Sequence, residues 1–168
     1  MGTGGLFLRK LRATVKDKPT GFVWVTEGIA ASGYPASRSQ VEWIASQGIE
    51  SVLSLTEQPL PPRFTDGLPI RLEHIPLSDH GIPEASALER GAAYVAGQVA
   101  EDRKVLVHCL AGEGRTGCVL AAYMIIDLKM TPEEALRRLR AVKPSFVESR
   151  QERAVYGLGA RSGAGNQM

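Results

Sequence analysis

The chain of 168 residues reads as a single α/β domain, with a central, mostly parallel sheet flanked by helices on both faces. Three observations predict this. Short apolar runs alternate with longer segments of helical pattern, the arrangement that builds a parallel sheet through crossover helices. The run Val105 to Val107 feeds a Gly-containing turn and then a breaker-free apolar stretch, Val119 to Leu128, so a buried strand opens a helix through a tight loop. The composition, 43% hydrophobic and 23% charged, is that of an ordinary globular protein long enough for one real core. A net charge of +2 gives no strong nucleic-acid signal, and no apolar run reaches the length of a membrane span. Two cysteines do not make a disulfide scaffold.

In chain order, residues 1–18 form a basic arm. Arg9, Lys10, Arg12 and Lys16 precede the first acid, Asp17, and Phe7, Leu11 and Val15 recur on one helical face. Such a segment suits a membrane surface or a targeting signal; packing on its own domain is the favoured expectation. The domain itself spans 19–159. Phe22 to Val25 and Ile29 to Ser32 are short strands, and Tyr34-Pro35 is a turn. Ser37 caps a helix to about Gln47 that buries Val41, Ile44 and Ala45, and Gly48 stops it. Ile49 to Leu55 is a strand, Glu57 to Gly67 a Pro-containing surface loop, and Ile70 to Leu77 the next strand, with Leu72 and His74 opposite Arg71 and Glu73. Ser78 to Pro83 is a polar turn. Glu84 to Asp102 is a long helix in which Gly91 and Gly97 weaken the pattern or permit close packing. Lys104 to Cys109 is the central strand. Thr131-Pro132-Glu133-Glu134 combines an N-cap, Pro at N1 and a capping box, opening a helix that Pro144 ends. Ser145 to Glu148 has the same spacing and opens the last helix; 160–168 is a Gly-rich, flexible tail.

The chemistry centres on His108 to Gly117. A strand, a tight loop and a helix N-terminus make an anion site, because loop N–H groups and the helix end face whatever sits in the turn. Leu110, Ala111, Gly112, Glu113 and Gly114 supply that loop, Cys109 stands at its lip and Arg115 closes it. A ring of N–H donors and a guanidinium favour the thiolate, which is the nucleophilic form. The same donors hold the non-bridging oxygens of a phosphoryl group, and Arg115 binds two of them bidentately, as Lys does not. The thiolate then attacks phosphorus in line and forms a cysteinyl-phosphate. Thr116 is placed to hydrogen-bond the departing sulfur. Gly112-x-Gly114-x-x-Gly117 is formally a dinucleotide fingerprint, but Thr131-Pro-Glu-Glu begins a helix where that motif needs a strand ending in an acid. A P-loop needs Lys where Arg115 stands. Cys118, inside the following helix, reads as a buried packing thiol.

His108-Cys109-x5-Arg115-Thr116-Gly117 resembles the signature loop of the cysteine-dependent protein tyrosine phosphatases. The short chain is similar, over roughly residues 20–158, to the small atypical dual-specificity phosphatases of the VHZ type and their archaeal and bacterial relatives. The resemblance implies that Asp79, 30 positions before Cys109 (109 − 79) and followed by Pro83, is the general acid that protonates the leaving oxygen and then activates water. His80 is the alternative. It also implies that Glu148, 39 positions after Cys109 (148 − 109), approaches the site and shares acid–base or water-positioning work. Gln151 takes the water-orienting part of a glutamine in many relatives.

No cofactor or metal is expected, since Arg115 and the amide ring supply the positive potential. Phosphoinositide phosphatases of this superfamily commonly carry Lys in the signature loop, whereas this loop has Glu113 and no Lys. The expected partner is therefore a phosphorylated protein or peptide, bearing phosphotyrosine or phosphoserine and phosphothreonine. A phosphoinositide or small phosphomonoester phosphatase, and a non-catalytic phospho-binding module, are the alternatives; a binder need not keep Cys109, Arg115 and Asp79 together. A reduced thiol implies a reducing compartment, so a cytoplasmic monomer is the expectation.

Overall fold

The computed structural model describes residues 17–164. Phe7, Leu11, Val15 and the rest of the basic arm to residue 16 lie outside the described residues. Strands β1 (Val23–Trp24), β2 (Ile29–Ser32), β3 (Ile49–Ser54), β4 (Arg71–His74) and β5 (Lys104–His108) form one sheet in the order β1-β2-β5-β3-β4. The four strands β2, β5, β3 and β4 run parallel, and β1 pairs antiparallel at one edge. The helices are α1 (Arg38–Ser46), α2 (Pro62–Thr65), α3 (Ala85–Ala100), α4 (Gly114–Ile126), α5 (Pro132–Val142) and α6 (Glu152–Ala164), with a 3-10 turn at Ser149–Gln151. None of the described helices is long and apolar enough to cross a membrane.

Parallel strands covered on both faces send alternate side chains into two apolar layers. Ile29, Ala31, Leu53, Val105 and Val107 face the larger core, which α3, α4, α5 and α6 complete. Ala30, Val52 and Leu106 face the smaller one, against Trp43 and Ile44 of α1. Ser32, His108 and Ser54 are register partners, and so are Ser54 and His74. The strands thus end at one level, and Cys109 is the first residue beyond the central one. This is the carboxyl edge at which open parallel sheets bind ligands.

Several boundaries differ from the expectation, each for a local reason. The buried face of α1 is Val41, Trp43 and Ile44, with Ala45 only half-buried. Its cap is as expected, Ser37 accepting from the Gln40 N–H. The 57–67 loop contains α2, which has Pro in its first turn, where the missing N–H costs nothing. The ladder of β4 stops at His74 rather than Leu77. Pro76 has no N–H to give it, although Ile75 and Leu77 still donate to Ser54 and Leu55 carbonyls at 3.0 and 3.1 Å. Gly91 serves close packing: a Cβ there would lie 2.9 Å from Val119 Cγ1, so α3 rides directly on α4, whereas Gly97 has open space.

Helix α4 begins at Gly114, not Val119, which puts Arg115 and Thr116 in its first turn. Ser145 caps nothing. The chain from Phe146 to Val147 is pinned when Arg140 donates to both carbonyls, at 3.2 and 2.9 Å, and the last helical segment starts only after Glu148. That segment continues as α6 through Ala164, past the expected start of a flexible tail at Ala160. Within this helix Gly159 serves packing: a Cβ there would sit 2.4 Å from the Pro132 ring.

Candidate active site

The loop Cys109–Gly114 is shaped by where its carbonyls go. Leu110 O accepts from Tyr34 N–H at 2.9 Å, and Gly112 O from Lys143 Nζ at 3.1 Å. Glu113 O accepts from Gly117 N–H at 2.9 Å, inside α4, and from Val147 N–H at 3.4 Å. A trans peptide sets its N–H opposite its C=O. Carbonyls held outward by Tyr34 and Lys143 therefore turn the N–H groups of Ala111 and Glu113 toward the hollow of the loop. Gly112 N–H donates to Cys109 Sγ at 3.2 Å. Only glycine fits here: its φ is +73°, and a Cβ would lie 2.3 Å from the Ser32 carbonyl carbon and oxygen.

Cys109 is 2% exposed and lies at the floor of a cavity of about 130 Å³. Its lining is Asp79, His80, Cys109, Leu110, Ala111, Glu113, Gly114, Arg115, Glu148 and Gln151, drawn from three distant parts of the chain. A larger hollow of about 1020 Å³, beside Trp24, Glu50 and Lys104, lies at the opposite ends of the strands. It holds no nucleophile and no anion loop, so the chemistry belongs to the smaller cavity.

Arg115 is buried and donates three hydrogen bonds. Its Nη1 donates to Leu77 O at 3.0 Å and to Glu57 Oε2 at 3.3 Å; its Nη2 donates to Asp79 Oδ1 at 2.8 Å. Glu57 also accepts from Asp79 N–H, through Oε1 at 2.7 Å. That backbone N–H, more than the Arg115 charge, holds the Glu57 carboxyl below its ordinary pKa. His80, with φ +55°, stands between two acids: Nδ1 is 3.3 Å from Glu148 Oε1 and Nε2 is 3.8 Å from Asp79 Oδ2. Glu148 also pairs with Arg150 at 3.0 Å. Gln151 is buried, its Nε2 donating one N–H to Gly81 O at 3.0 Å and its Oε1 accepting from Glu148 N–H at 3.3 Å. It thereby ties the last helical segment to the turn that carries Asp79.

The residues read from sequence thus converge, with two exceptions. Gly112 contributes its N–H and carbonyl but does not line the cavity. Thr116 is fully buried, and its Oγ1 has no hydrogen-bond partner among the described residues. The donor to the sulfur is Gly112 N–H, not this hydroxyl. Cys118 faces Gln151 Oε1 at 3.8 Å, and burial pushes its thiol up to about 12. Glu57 and Lys143 were not singled out in the sequence. Glu57 had one signal: it lies just past the carboxyl end of a parallel strand, β3, where ligands bind.

The model of PTP-SAK, described as Swiss Army Knife protein, DSP-PTPase phosphatase domain, matches residues 19–155. "Protein tyrosine phosphatase domain-containing protein 1" of Mus musculus is 28% identical over 149 residues, covering 76% of this chain and 20% of that protein. "Dual specificity protein phosphatase 12" of Rattus norvegicus is 30% identical over 115 residues, 67% of this chain and 33% of that protein. The chain therefore spans a third or less of these relatives' lengths. The crystal structure of Tk-PTP in the active form superposes with a TM-score of 0.76 at 25% identity, covering 83% of this chain and 97% of that one. With the family model matching most of its length over a loop and sheet of this geometry, the chain belongs to the DSP-PTPase phosphatase domains of the PTP-SAK family.

Proposed function

We propose that this domain hydrolyses phosphotyrosine, and phosphoserine or phosphothreonine, in proteins or peptides through a cysteinyl-phosphate at Cys109. The observation that carries the reading is Cys109 Sγ at the floor of a cavity of about 130 Å³, with Arg115 in its wall. In the first step the Cys109 thiolate attacks phosphorus, the S–P bond forms and the P–O bond to the side chain breaks. Asp79 gives its proton to the leaving oxygen. In the second, water attacks phosphorus, Asp79 takes its proton, and inorganic phosphate and the thiolate separate. The guanidinium of Arg115 and the N–H groups of Ala111 and Glu113 bind the equatorial oxygens, where charge gathers. Glu148, held by His80 and Arg150, and Gln151 act on the second step by orienting the water.

A protein substrate is favoured by the rim. Glu57, Asp79, Glu113 and Glu148 are all a third or more exposed around the opening. Lys143 is only 17% exposed there and already donates to Gly112 O. Such a rim repels a head group carrying several phosphates and accepts a single phosphomonoester on a peptide. The relative named as a dual specificity protein phosphatase agrees with this choice. The test is a panel of phosphopeptides and phosphoinositides assayed with wild type and Cys109→Ser. Turnover should be confined to the peptides, and the serine variant should lose it by a factor of about a thousand or more, since nucleophile removal disables the whole constellation. Residual turnover within tenfold of wild type would sink the covalent mechanism, and preference for phosphoinositides would sink the substrate assignment.

A further inference from the structure

We propose that Tyr34 and Leu110 form a specificity subsite beside the catalytic cavity, one that takes an apolar side chain of the substrate peptide within two residues of the phosphorylated one; the inference rests on the phosphopeptide reading given above. Leu110 directly follows Cys109 and lines two hollows. One is the cavity of about 130 Å³ over Cys109. The other, of about 260 Å³, is walled by Tyr34, Thr56, Glu57, Gln58 and Leu110. A phosphorylated side chain that enters the first hollow leaves its main chain at the lip the two share. An extended peptide advances about 3.3 Å per residue, so a side chain one or two positions away comes over the second.

An exposed leucine by itself says little. Leu110, however, is 58% exposed, the highest value among the large apolar side chains left open in the described residues, and it belongs to the catalytic loop. Tyr34 is tied to it from the end of β2: its N–H donates to Leu110 O at 2.9 Å. The Tyr34 ring stands at 70° to the buried His108 ring, with centroids 5.9 Å apart, which fixes its place. The polar groups of the wall are engaged elsewhere. Thr56 Oγ1 donates to Gln58 O at 2.7 Å, and Thr56 O accepts from His74 Nε2 at 2.7 Å. Both oxygens of Glu57 accept from the catalytic side, from Asp79 N–H and from Arg115. The wall thus offers an incoming group chiefly a leucine side chain and a tyrosine ring. Both are set in advance by backbone bonds, so little ordering is lost when a ligand arrives. An apolar side chain seated there takes Leu110 out of water, which is the source of the affinity.

The experiment measures kcat and KM on a series of phosphotyrosine peptides in which the two positions on either side of the phosphotyrosine carry, one at a time, Leu, Phe, Gly, Asp or Lys. At one of these positions Leu or Phe should exceed Gly in kcat/KM by about tenfold or more, the discrimination that a single apolar pocket provides. The gain should appear mainly in KM, because contact with a remote side chain is made equally in the ground and transition states. The same Leu-to-Gly ratio is then taken in Tyr34→Ala, Leu110→Ser and Tyr34→Phe. A ratio within one variant cancels any loss of catalytic power that the substitution brings. It should fall to within about twofold of unity in Tyr34→Ala and in Leu110→Ser, and it should persist in Tyr34→Phe, which keeps the ring. Survival of the ratio in either of the first two variants overturns the inference. So does a preference for Lys over Leu and Phe, which would trace to the acidic rim, and so does turnover of all the peptides without preference at any position. Turnover of none of them overturns the phosphopeptide reading itself, and this inference with it.

Discussion

His108 is fully buried at the end of β5, and its Nδ1 lies 3.1 Å from Cys109 O. A carbonyl only accepts, so Nδ1 carries the proton and Nε2 is left with a lone pair and no partner among the described residues. Burial, the largest influence, pulls the imidazole down from 6.5 to about 4, and the positive charge of Arg115 acts in the same direction. The unfolded chain takes up a proton as pH falls through 6.5, while the folded protein does so only near 4. Stability contributed by neutral His108 is therefore complete above pH 6.5 and is lost progressively down to about 4. The gap corresponds to roughly 3 kcal/mol. Urea unfolding between pH 7 and pH 4 should show this slope in wild type and a shallower one in His108→Asn, whose amide can still donate to Cys109 O; equal slopes would contradict the assignment. At this scale the sequence was legible wherever spacing carries the chemistry. Cys109 and Arg115 belong to one short loop, and five intervening residues define an anion ring. Glu57 and Lys143 reach that ring only across the fold; Glu57 is marked by nothing but its place past the end of β3, and Lys143 by no pattern at all. In this structure the donor to sulfur is the main-chain N–H of Gly112, a group every non-proline residue carries and no sequence pattern singles out.

Helix starts were legible where side-chain caps write them and illegible where the backbone alone does. Thr131 Oγ1 accepts from Glu134 N–H at 3.2 Å and Glu134 Oε2 from Thr131 N–H at 2.8 Å, the reciprocal box expected of Thr-Pro-Glu-Glu. Thr131→Ala should cost about 1 kcal/mol in a urea titration and leave kcat and KM within about twofold, because the cap lies outside the cavity. A large kinetic effect would mean that α5 fixes the loop more directly, through Lys143 at its end. Ser145 and Glu148 offered the same spacing, yet Arg140 claims the carbonyls of Phe146 and Val147 and keeps that stretch out of a helix. Val147 is held there at φ +63°, in the left-handed region that a β-branched residue rarely adopts. The early start of α4 was hidden for the opposite reason: Gly112 and Gly114 look like a turn continuing, but Gly117 N–H already bonds Glu113 O. Strand β4 was overread because Pro76 sits in an apolar run whose hydrogen bonding it interrupts.

On the scale of the whole molecule, the parallel sheet brings the ends of β3, β4 and β5 to one edge, and the segment between α5 and the 3-10 turn adds Glu148 from the far end of the chain. Alternating strands and helices made that architecture legible. Which carboxylate serves as acid depends on side-chain partners that no topology specifies. Asp79 touches the guanidinium that must release it when phosphate arrives, at 2.8 Å. Glu148 lines the same cavity but is paired with His80 and Arg150, at 3.3 and 3.0 Å, rather than with the guanidinium of Arg115. We expect Asp79 to donate the proton and Glu148 to act after it, on the water. A double-mutant cycle of Asp79→Asn and Glu148→Gln tests the order. Asp79→Asn should slow phosphotyrosine hydrolysis by about 10²–10⁴ with a smaller effect on a nitrophenyl ester, and should flatten the basic limb of the pH–rate profile, which reports loss of the acid's proton. Glu148→Gln should leave formation of the cysteinyl-phosphate unchanged and slow its hydrolysis, so that the intermediate accumulates in rapid-quench experiments. If Glu148→Gln instead reproduces the leaving-group effect and Asp79→Asn shows none, the proton comes from the last helical segment. If each change is mild and the pair severe, the two carboxylates substitute for one another, and His80, which bridges them, would be the group that passes the role between them.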